Sequence, residues 1–243
     1  MENPSTGNRR RFIQTMTLGA AFFTTRGLFA ETLTQTASMT EGPFYPDKLP
    51  LDTDNDLLII NNSITPAVGE ITQLTGRLLT SAGEPVRNAF VEIWQVDAKA
   101  SYLHSGGHGP AGPDANFQGY GRFLTGSRGE YYFRTIKPVP YTLGGSFRAP
   151  HIHFAISQNG RRVFTTQVHV RGHEANGRDS LLRGIRDVQL RETVLADFVP
   201  LPGSKIGELT AKFDIVMGRS AQESEGAIRG GISGPERLGR GRR

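Results

Sequence analysis

A regular succession of short strand-like segments constrains the fold of this 243-residue chain more than any other feature. Each segment is rich in β-branched or aromatic residues, and Gly, Pro or Asn stands in the turns between them, a combination typical of β-strands. The predicted strands are 71–79, 89–96, 122–125, 130–136, 151–157, 162–169, 191–198 and 208–216. Because no long helical pattern separates them, we predict an all-β fold, a single antiparallel β-sandwich with long functional loops.

The turns within this series predict how neighbouring strands pair. Turns at 81–85, 126–129 and 158–160, each containing glycine, separate successive strands and predict three β-hairpins. One short helix is predicted at 180–185, because Asp179 is a preferred N-cap residue and directly precedes it.

Both ends of the chain differ in composition from the sandwich region. In residues 1–30, consecutive arginines at 9–11 precede a weakly apolar run at 15–25 and the small residue Ala30, the pattern of a twin-arginine export signal. The run is too short and too polar for a membrane span, and a disordered basic tail is the alternative. We therefore expect an exported, periplasmic protein that does not span the membrane in its mature form. The sandwich domain is predicted at 31–218 and a disordered Gly/Arg-rich tail at 219–243.

Charge and cysteine content exclude several classes of protein. The formal charge of +5 comes from the two ends, which each carry +3 and leave −1 for residues 31–218. The sandwich region has no basic excess, so nothing predicts nucleic-acid binding. Cysteine is absent, which excludes disulfides, Cys-ligated zinc, iron–sulfur clusters and a thiol nucleophile.

Two histidines in the strand 151–157 are candidates for metal binding. Side chains alternate between the two faces of a strand, so His151 and His153 lie on one face, while Ile152 and Phe154 lie on the other. Two neighbouring imidazoles on a rigid strand form half of a metal site. The alternative is a surface strand whose polar face carries two histidines by chance, since short motifs often match by accident.

Two loops carry tyrosines that precede this strand. A loop of about twenty residues, 99–119, contains Tyr102, and a loop of that length in a compact domain is usually functional or disordered. A second loop, 137–145, contains Tyr141 and leads directly into the histidine strand.

Six segments, taken in order, resemble the signature of the intradiol ring-cleavage dioxygenases. They are T-E-G-P-F-Y-P at 40–46, W-Q-V-D-A at 94–98, Y-L-H at 102–104, N-F-Q-G-Y-G-R at 116–122, Y-F-R-T-I-K-P-V-P-Y at 132–141 and R-A-P-H-I-H-F at 148–154. The resemblance runs over about residues 40–217, and its first segment is similar to the protocatechuate 3,4-dioxygenase-like branch. One departure is Ala100, which stands where the family usually has glycine, two residues before its first tyrosine.

The resemblance implies one mononuclear non-haem Fe(III) ion, and its ligands would be Tyr102, Tyr141, His151 and His153. The donor chemistry agrees, because Fe(III) is a hard ion that favours anionic oxygen ligands such as phenolates. A phenol normally ionises near a pH of about 10, so the ion must hold the tyrosines deprotonated. An Fe(II) site with a facial carboxylate would want H-x-D or H-x-E, whereas this strand has histidine at both positions.

For the reaction, the resemblance implies a catecholic aromatic substrate and O2. The ring would be cleaved between its two hydroxyl-bearing carbons to a cis,cis-muconate-type diacid, with Tyr141 leaving the metal and taking a substrate proton. Arg148 would stabilise the electron-rich ring and the anionic species that follow, a role suited to a planar, permanent cation. The other pocket residues implied are Gln167 and three members of a segment that folds over the pocket, Thr40, Gly42 and Pro43.

Two other hypotheses stay open at the level of the sequence. The first is a non-catalytic, transthyretin-like or carbohydrate-binding sandwich in which the H-x-H motif is incidental. The second is a copper or zinc enzyme on the same ligands, although two tyrosines suit a hard trivalent ion better. Members of the similar branch often pair two related subunits, so a homo-oligomer or a related second subunit is a further hypothesis.

Overall fold

The computed structural model describes residues 33–60 and 65–218, and β-strands predominate in them. The predictions of an export signal at 1–30 and of a disordered tail at 219–243 lie outside the described residues. The strands are β1 (Ile71–Thr80), β2 (Phe90–Trp94), β3 (Tyr120–Leu124), β4 (Glu130–Ile136), β5 (Tyr141–Leu143), β6 (Ser146–Arg148), β7 (His151–Gln158), β8 (Arg161–Val170), β9 (Leu195–Ala196), β10 (Phe198–Pro200), β11 (Leu209–Lys212) and β12 (Ile215–Met217). Two five-stranded sheets contain most of them, and the prediction of an all-β sandwich is confirmed.

The two sheets contain both antiparallel and parallel pairs. Strand β1 pairs antiparallel with β4 along one edge and parallel with β11 and then β12 along the other. The second sheet has the order β3-β2-β7-β8-β9 and is antiparallel except for the pair β8–β9. The sandwich is therefore mainly antiparallel, and its parallel pairs are β1–β11, β1–β12 and β8–β9. The parallel partners β9, β11 and β12 come late in the chain and return to the sheets by long connections, as parallel pairing requires.

Only one of the three predicted hairpins forms. Strands β7 and β8 pair through Asn159 and Gly160, whose φ values of 50° and 76° suit a tight hairpin turn. Strand β1 instead pairs with β4, and β2 pairs with β3 and β7. The turns at 81–85 and 126–129 therefore carry the chain from one sheet to the other. Turn residues reverse the chain locally, but the buried face of each strand decides which partner it pairs with.

The described residues contain three short helical segments rather than the single predicted helix. The predicted helix is present as α1 (Ser180–Gly184), and Asp179 caps it by accepting from the backbone N–H of Leu181 and Leu182. A 3₁₀ helix (Glu174–Arg178) precedes it, and α2 (Val188–Glu192), capped by Asp187, occupies the start of the predicted strand 191–198. None of these helices has the length and apolar character needed to cross a membrane.

Strand β7 is buried on both of its faces, and this determines where the candidate site lies. On one face, Ile152, Phe154 and Ile156 belong to the main core between the sheets. On the other face, His151 and His153 are also buried, with exposed fractions of 1% and 2%. That outer face is covered by a second cluster of mostly aromatic residues from the loops and neighbouring strands, which includes Trp94, Val96, Tyr102, Tyr120 and Tyr141.

Candidate metal centre

The side chains of two tyrosines and two histidines converge at one point outside the second sheet. The hydroxyl oxygen of Tyr102 lies 3.0 Å from that of Tyr141, 2.9 Å from Nε2 of His153 and 3.4 Å from Nε2 of His151. The two Nε2 atoms are 3.1 Å apart. The structure thus brings together all four residues that the sequence predicts as metal ligands.

The loop between β2 and β3 positions Tyr102. The carboxylate of Asp97 accepts hydrogen bonds from the backbone N–H groups of Lys99, Ser101 and Asp114, and so ties the start of the loop to its far end. Ala100 has a φ of 59°, the left-handed conformation that favours glycine. This explains why glycine is expected at this position, and Ala100 adopts the same conformation at a cost of about 1–2 kcal/mol.

The strand pair β5–β6 and the start of β7 position the other three side chains. Tyr141 on β5 lies directly opposite Arg148 on β6. Nδ1 of His151 donates a hydrogen bond to the carbonyl oxygen of Ala149 at 2.6 Å. In the neutral ring this leaves Nε2 with a free lone pair facing Tyr102. The ring of His153 stacks on Trp94, with ring centroids 4.8 Å apart and an interplanar angle of 9°.

The spacing of the four donor atoms fits a single metal ion. Nitrogen and oxygen ligands about 2.0–2.2 Å from a metal, and separated by roughly 90–110° around it, lie about 3 Å from one another. The observed separations of 2.9–3.4 Å fall at this spacing. When no ion is bound, Nε2 of His151 carries a lone pair and can only accept a hydrogen bond. The single hydroxyl hydrogen of Tyr102 cannot satisfy all three of its polar neighbours at once.

Burial makes all four groups neutral when no cation is present. Loss of solvent raises the pKa of Tyr102 well above its ordinary value, and the neighbouring Tyr141 raises it further. Burial also raises the pKa of Tyr141. The same loss of solvent lowers the pKa values of His151 and His153 well below that of free histidine. A multivalent cation supplies the charge that phenolates need in such a site.

Arg148 is held beside the four donors by two side chains. Its Nε donates to Oδ2 of Asp179 at 2.9 Å, and its NH2 group donates to Oε1 of Gln167 at 2.5 Å. The backbone N–H of Ala149 donates to the same Asp179 oxygen at 2.9 Å. Sequence reasoning identified Asp179 only as a helix cap. The cap motif was its only sequence signal, because the contact with Arg148 depends on the fold.

The segment 40–46 covers the donors, as the resemblance implies. Nε2 of Gln167 donates to the carbonyl oxygen of Thr40 at 2.9 Å. A Cβ added at Gly42 would lie 3.5 Å from Cε1 of His153, so the backbone passes directly over that ring. Phe44, which the sequence did not single out, stacks on Tyr102 at 5.1 Å between ring centroids. Pro43 is exposed.

A second group of potential ligands, His151, His169 and Asp179, lies next to the first. Both oxygens of Asp179 already accept hydrogen bonds, and the Arg148 guanidinium is 2.9 Å from one of them. A cation bound there would face this permanent positive charge. Neither ring nitrogen of His169 has a hydrogen-bond partner in the described residues, and burial lowers its pKa to about 4. His169 therefore acts as a neutral ring that packs 5.3 Å from His151.

Comparisons with known proteins agree with this fold and site. A family model described as Dioxygenase matches residues 40–217. The chain is 35% identical over 182 residues to the protocatechuate 3,4-dioxygenase beta chain of Burkholderia cepacia, an alignment covering 72% of this chain and 76% of that protein. It is 30% identical over 197 residues to the protocatechuate 3,4-dioxygenase alpha chain of Pseudomonas putida, covering 76% and 92%.

Solved structures show the same fold. The dioxygenase domain of a carbohydrate-binding fusion protein from Streptomyces sp. SirexAA-E superposes with a TM-score of 0.56 at 24% identity, covering 77% of this chain and all of that one. Catechol 1,2-dioxygenase from Acinetobacter sp. ADP1 gives a TM-score of 0.55 at 22% identity, covering 86% and 69%. The chain therefore belongs to the intradiol ring-cleavage dioxygenase family, and the predicted family and enzyme class are confirmed.

Proposed function

We propose that this protein is a non-haem Fe(III) dioxygenase that uses O2 to cleave a catechol-type aromatic between its hydroxyl-bearing carbons, giving a cis,cis-muconate-type diacid. The observation that carries the proposal is the convergence of two phenol oxygens and two imidazole nitrogens: the Tyr102 oxygen lies 2.9–3.4 Å from the other three atoms, and the two Nε2 atoms are 3.1 Å apart. A ligand-binding sandwich would not need this arrangement, because burying four polar groups around one point is costly unless they share a partner.

The donor set favours ferric iron over the other metals. Two phenolates and two neutral imidazoles offer two anionic oxygens, which suit a hard trivalent ion better than zinc or copper. The four ligands would be Tyr102, Tyr141, His151 and His153. Held by these residues, the ion would supply Lewis-acid activation of the catechol ring toward O2.

Tyr141 and Arg148 are the residues that would act on the substrate. Burial raises the pKa of Tyr141, so a phenolate at this position would be a strong base that could take a proton from a substrate hydroxyl. The guanidinium of Arg148 stabilises negative charge that develops on the ring, and its contacts with Asp179 and Gln167 keep it oriented for that role.

A cleft beside Tyr141 indicates which catechols fit. Its volume is about 330 Å³, and its lining is mostly apolar: Ala100, Gly109, Pro110, Pro140, Tyr141, Thr142, Leu143 and Phe147. No lysine, arginine or histidine is among these lining residues. The lining residues themselves therefore offer a substrate carboxylate no cationic partner. We therefore propose that a catechol with an uncharged substituent is preferred over protocatechuate, although protocatechuate enzymes are among the relatives.

Oxygen uptake by purified, ferric-loaded protein tests the function and the substrate class together. The panel is catechol, 4-methylcatechol, hydroxyquinol and protocatechuate. We expect a red to burgundy protein, from tyrosinate-to-ferric charge transfer, and a kcat/KM at least about tenfold higher for 4-methylcatechol than for protocatechuate. A protein that stays colourless and iron-free after loading would overturn the function. A reversed preference would overturn only the assignment of the cleft.

Export and subunit pairing are proposals as well. The arginines at 9–11 and the apolar run after them support twin-arginine export to the periplasm. Replacing Arg9 and Arg10 with lysine is expected to keep the protein in the cytoplasm, as cell fractionation would show, and an unchanged periplasmic fraction would contradict this.

The relatives named as alpha and beta chains support a related second subunit or a homo-oligomer as partner, which the mass of the purified particle tests.

A further inference from the structure

A buried network of charged and polar side chains lies beside the candidate metal centre, and none of the proposed chemistry uses it. Glu92 on β2 is fully buried, and Arg162 on β8 is 5% exposed. NH2 of Arg162 donates to Oε2 of Glu92 at 3.2 Å. The hydroxyls of Tyr45 and Tyr120 donate to Oε1 of Glu92 at 2.6 Å and 2.9 Å.

Arg162 also binds a second carboxylate, and this one belongs to the segment that covers the site. Its NH1 group donates to Oε2 of Glu41 at 2.6 Å. The charges of Glu92 and Arg162 already balance, so Glu41 adds a further negative charge to a largely buried site. Buried ion pairs are often no more stabilising than apolar residues of similar volume. What Glu41 does supply is a fixed attachment of the covering segment to β8.

Packed aromatic rings connect this network to the candidate metal ligands. The Arg162 guanidinium lies 4.6 Å from the ring centroid of Tyr45, and Tyr45 contacts Trp94 edge-on at 5.1 Å. Trp94 in turn stacks on His153. Between Glu41 and Tyr45, the chain places Gly42 over His153 and Phe44 against Tyr102. The segment is therefore attached on one side to the buried charges and packed on the other against two candidate ligands.

We propose that Glu41 and Arg162 are positioning residues, whose ion pair holds the segment 40–45 as a fixed wall over the metal centre, against His153 and Tyr102. This inference rests on the proposed function. A fixed wall orients the aromatic ring before reaction, so loosening it weakens substrate binding more than it slows the bound substrate. Their ion pair acts on the metal centre through the segment 40–45, which packs against His153 and Tyr102.

The decisive variant is Glu41→Gln, which removes the charge that attaches the segment to Arg162 and leaves the Glu92–Arg162 pair intact. Glu70→Gln is the matched control, because Glu70 forms an exposed ion pair with Lys137 at 3.4 Å. In ferric-loaded protein, Glu41→Gln is expected to raise KM for catechol about tenfold with kcat within about twofold of wild type. Glu70→Gln is expected to change neither constant.

Hydrogen exchange of the backbone amides in 40–45 gives a readout that does not depend on iron or turnover. Glu41→Gln is expected to increase exchange there, and only there, by at least about tenfold. Unchanged KM or unchanged exchange in the segment overturns the inference, even if the melting temperature falls, because a merely structural pair would lower stability alone. Inactive wild-type protein would refute the proposed function instead, and exchange would still decide whether the pair fixes the segment.

Discussion

His153→Phe is expected to weaken ferric-ion binding by more than about a hundredfold and to abolish oxygen uptake, whereas His169→Phe changes the affinity less than about tenfold. Both histidines are fully buried and stack on a neighbouring ring, so the same substitution alters packing to a similar extent at each site. They differ in that Nε2 of His153 lies 2.9 Å from the Tyr102 hydroxyl, while His169 lies beside His151 and Asp179.

Iron content after loading and equilibrium competition with a chelator measure the difference. Tyr102→Phe adds a spectroscopic test, because loss of one phenolate should shift and weaken the visible tyrosinate-to-ferric charge-transfer band even where iron is retained. If His169→Phe lost the metal and His153→Phe kept it, the group of His151, His169 and Asp179 would be the true site. An unchanged band in Tyr102→Phe would show that Tyr102 is not a ligand.

The sequence predicts well what depends on neighbours along the chain. The alternation of faces along a strand places His151 and His153 together, and Asn159 with Gly160 specifies the β7–β8 hairpin. Asp179 before an apolar run specifies the N-cap of α1. Each of these features needs only a few consecutive residues, whose conformations are limited by backbone geometry.

Features that depend on distant pairing were not predictable in the same way. The turn at 81–85 has hairpin chemistry, yet the strands on either side of it enter different sheets. The roles of Asp179 and Arg162 follow from contacts across 31 and 121 positions, to Arg148 and Glu41 respectively. No local pattern encodes such contacts. The two tyrosines were found only through the order of several motifs, since a lone tyrosine in a loop carries no metal signal.

Removing the carboxylate of Asp179 is expected to be the most destabilising single change at this site. Asp179 is fully buried, pairs with the buried Arg148 and caps α1. Asp179→Ala leaves the guanidinium without its partner and the helix without its cap, which should lower the free energy of unfolding by about 4 kcal/mol. Asp187→Ala is the matched control, because Asp187 caps α2 in the same way but forms no side-chain ion pair within the described residues, and should cost about 1 kcal/mol.

Urea unfolding of the metal-free proteins measures the loss of stability in Asp179→Ala and in Asp187→Ala. Asp179→Asn separates the contribution of the ion pair from that of the helix cap, since asparagine caps a helix as well as aspartate does. The double variant Asp179→Asn/Arg148→Met should regain most of the stability lost in Asp179→Asn, because no buried charge is then left unpaired. It should stay at least about a hundredfold less active than wild type, because the cation that stabilises the ring is gone. Similar losses in Asp179→Ala and Asp187→Ala would mean that the cap alone matters, and that Arg148 is held in place by Gln167 rather than by Asp179.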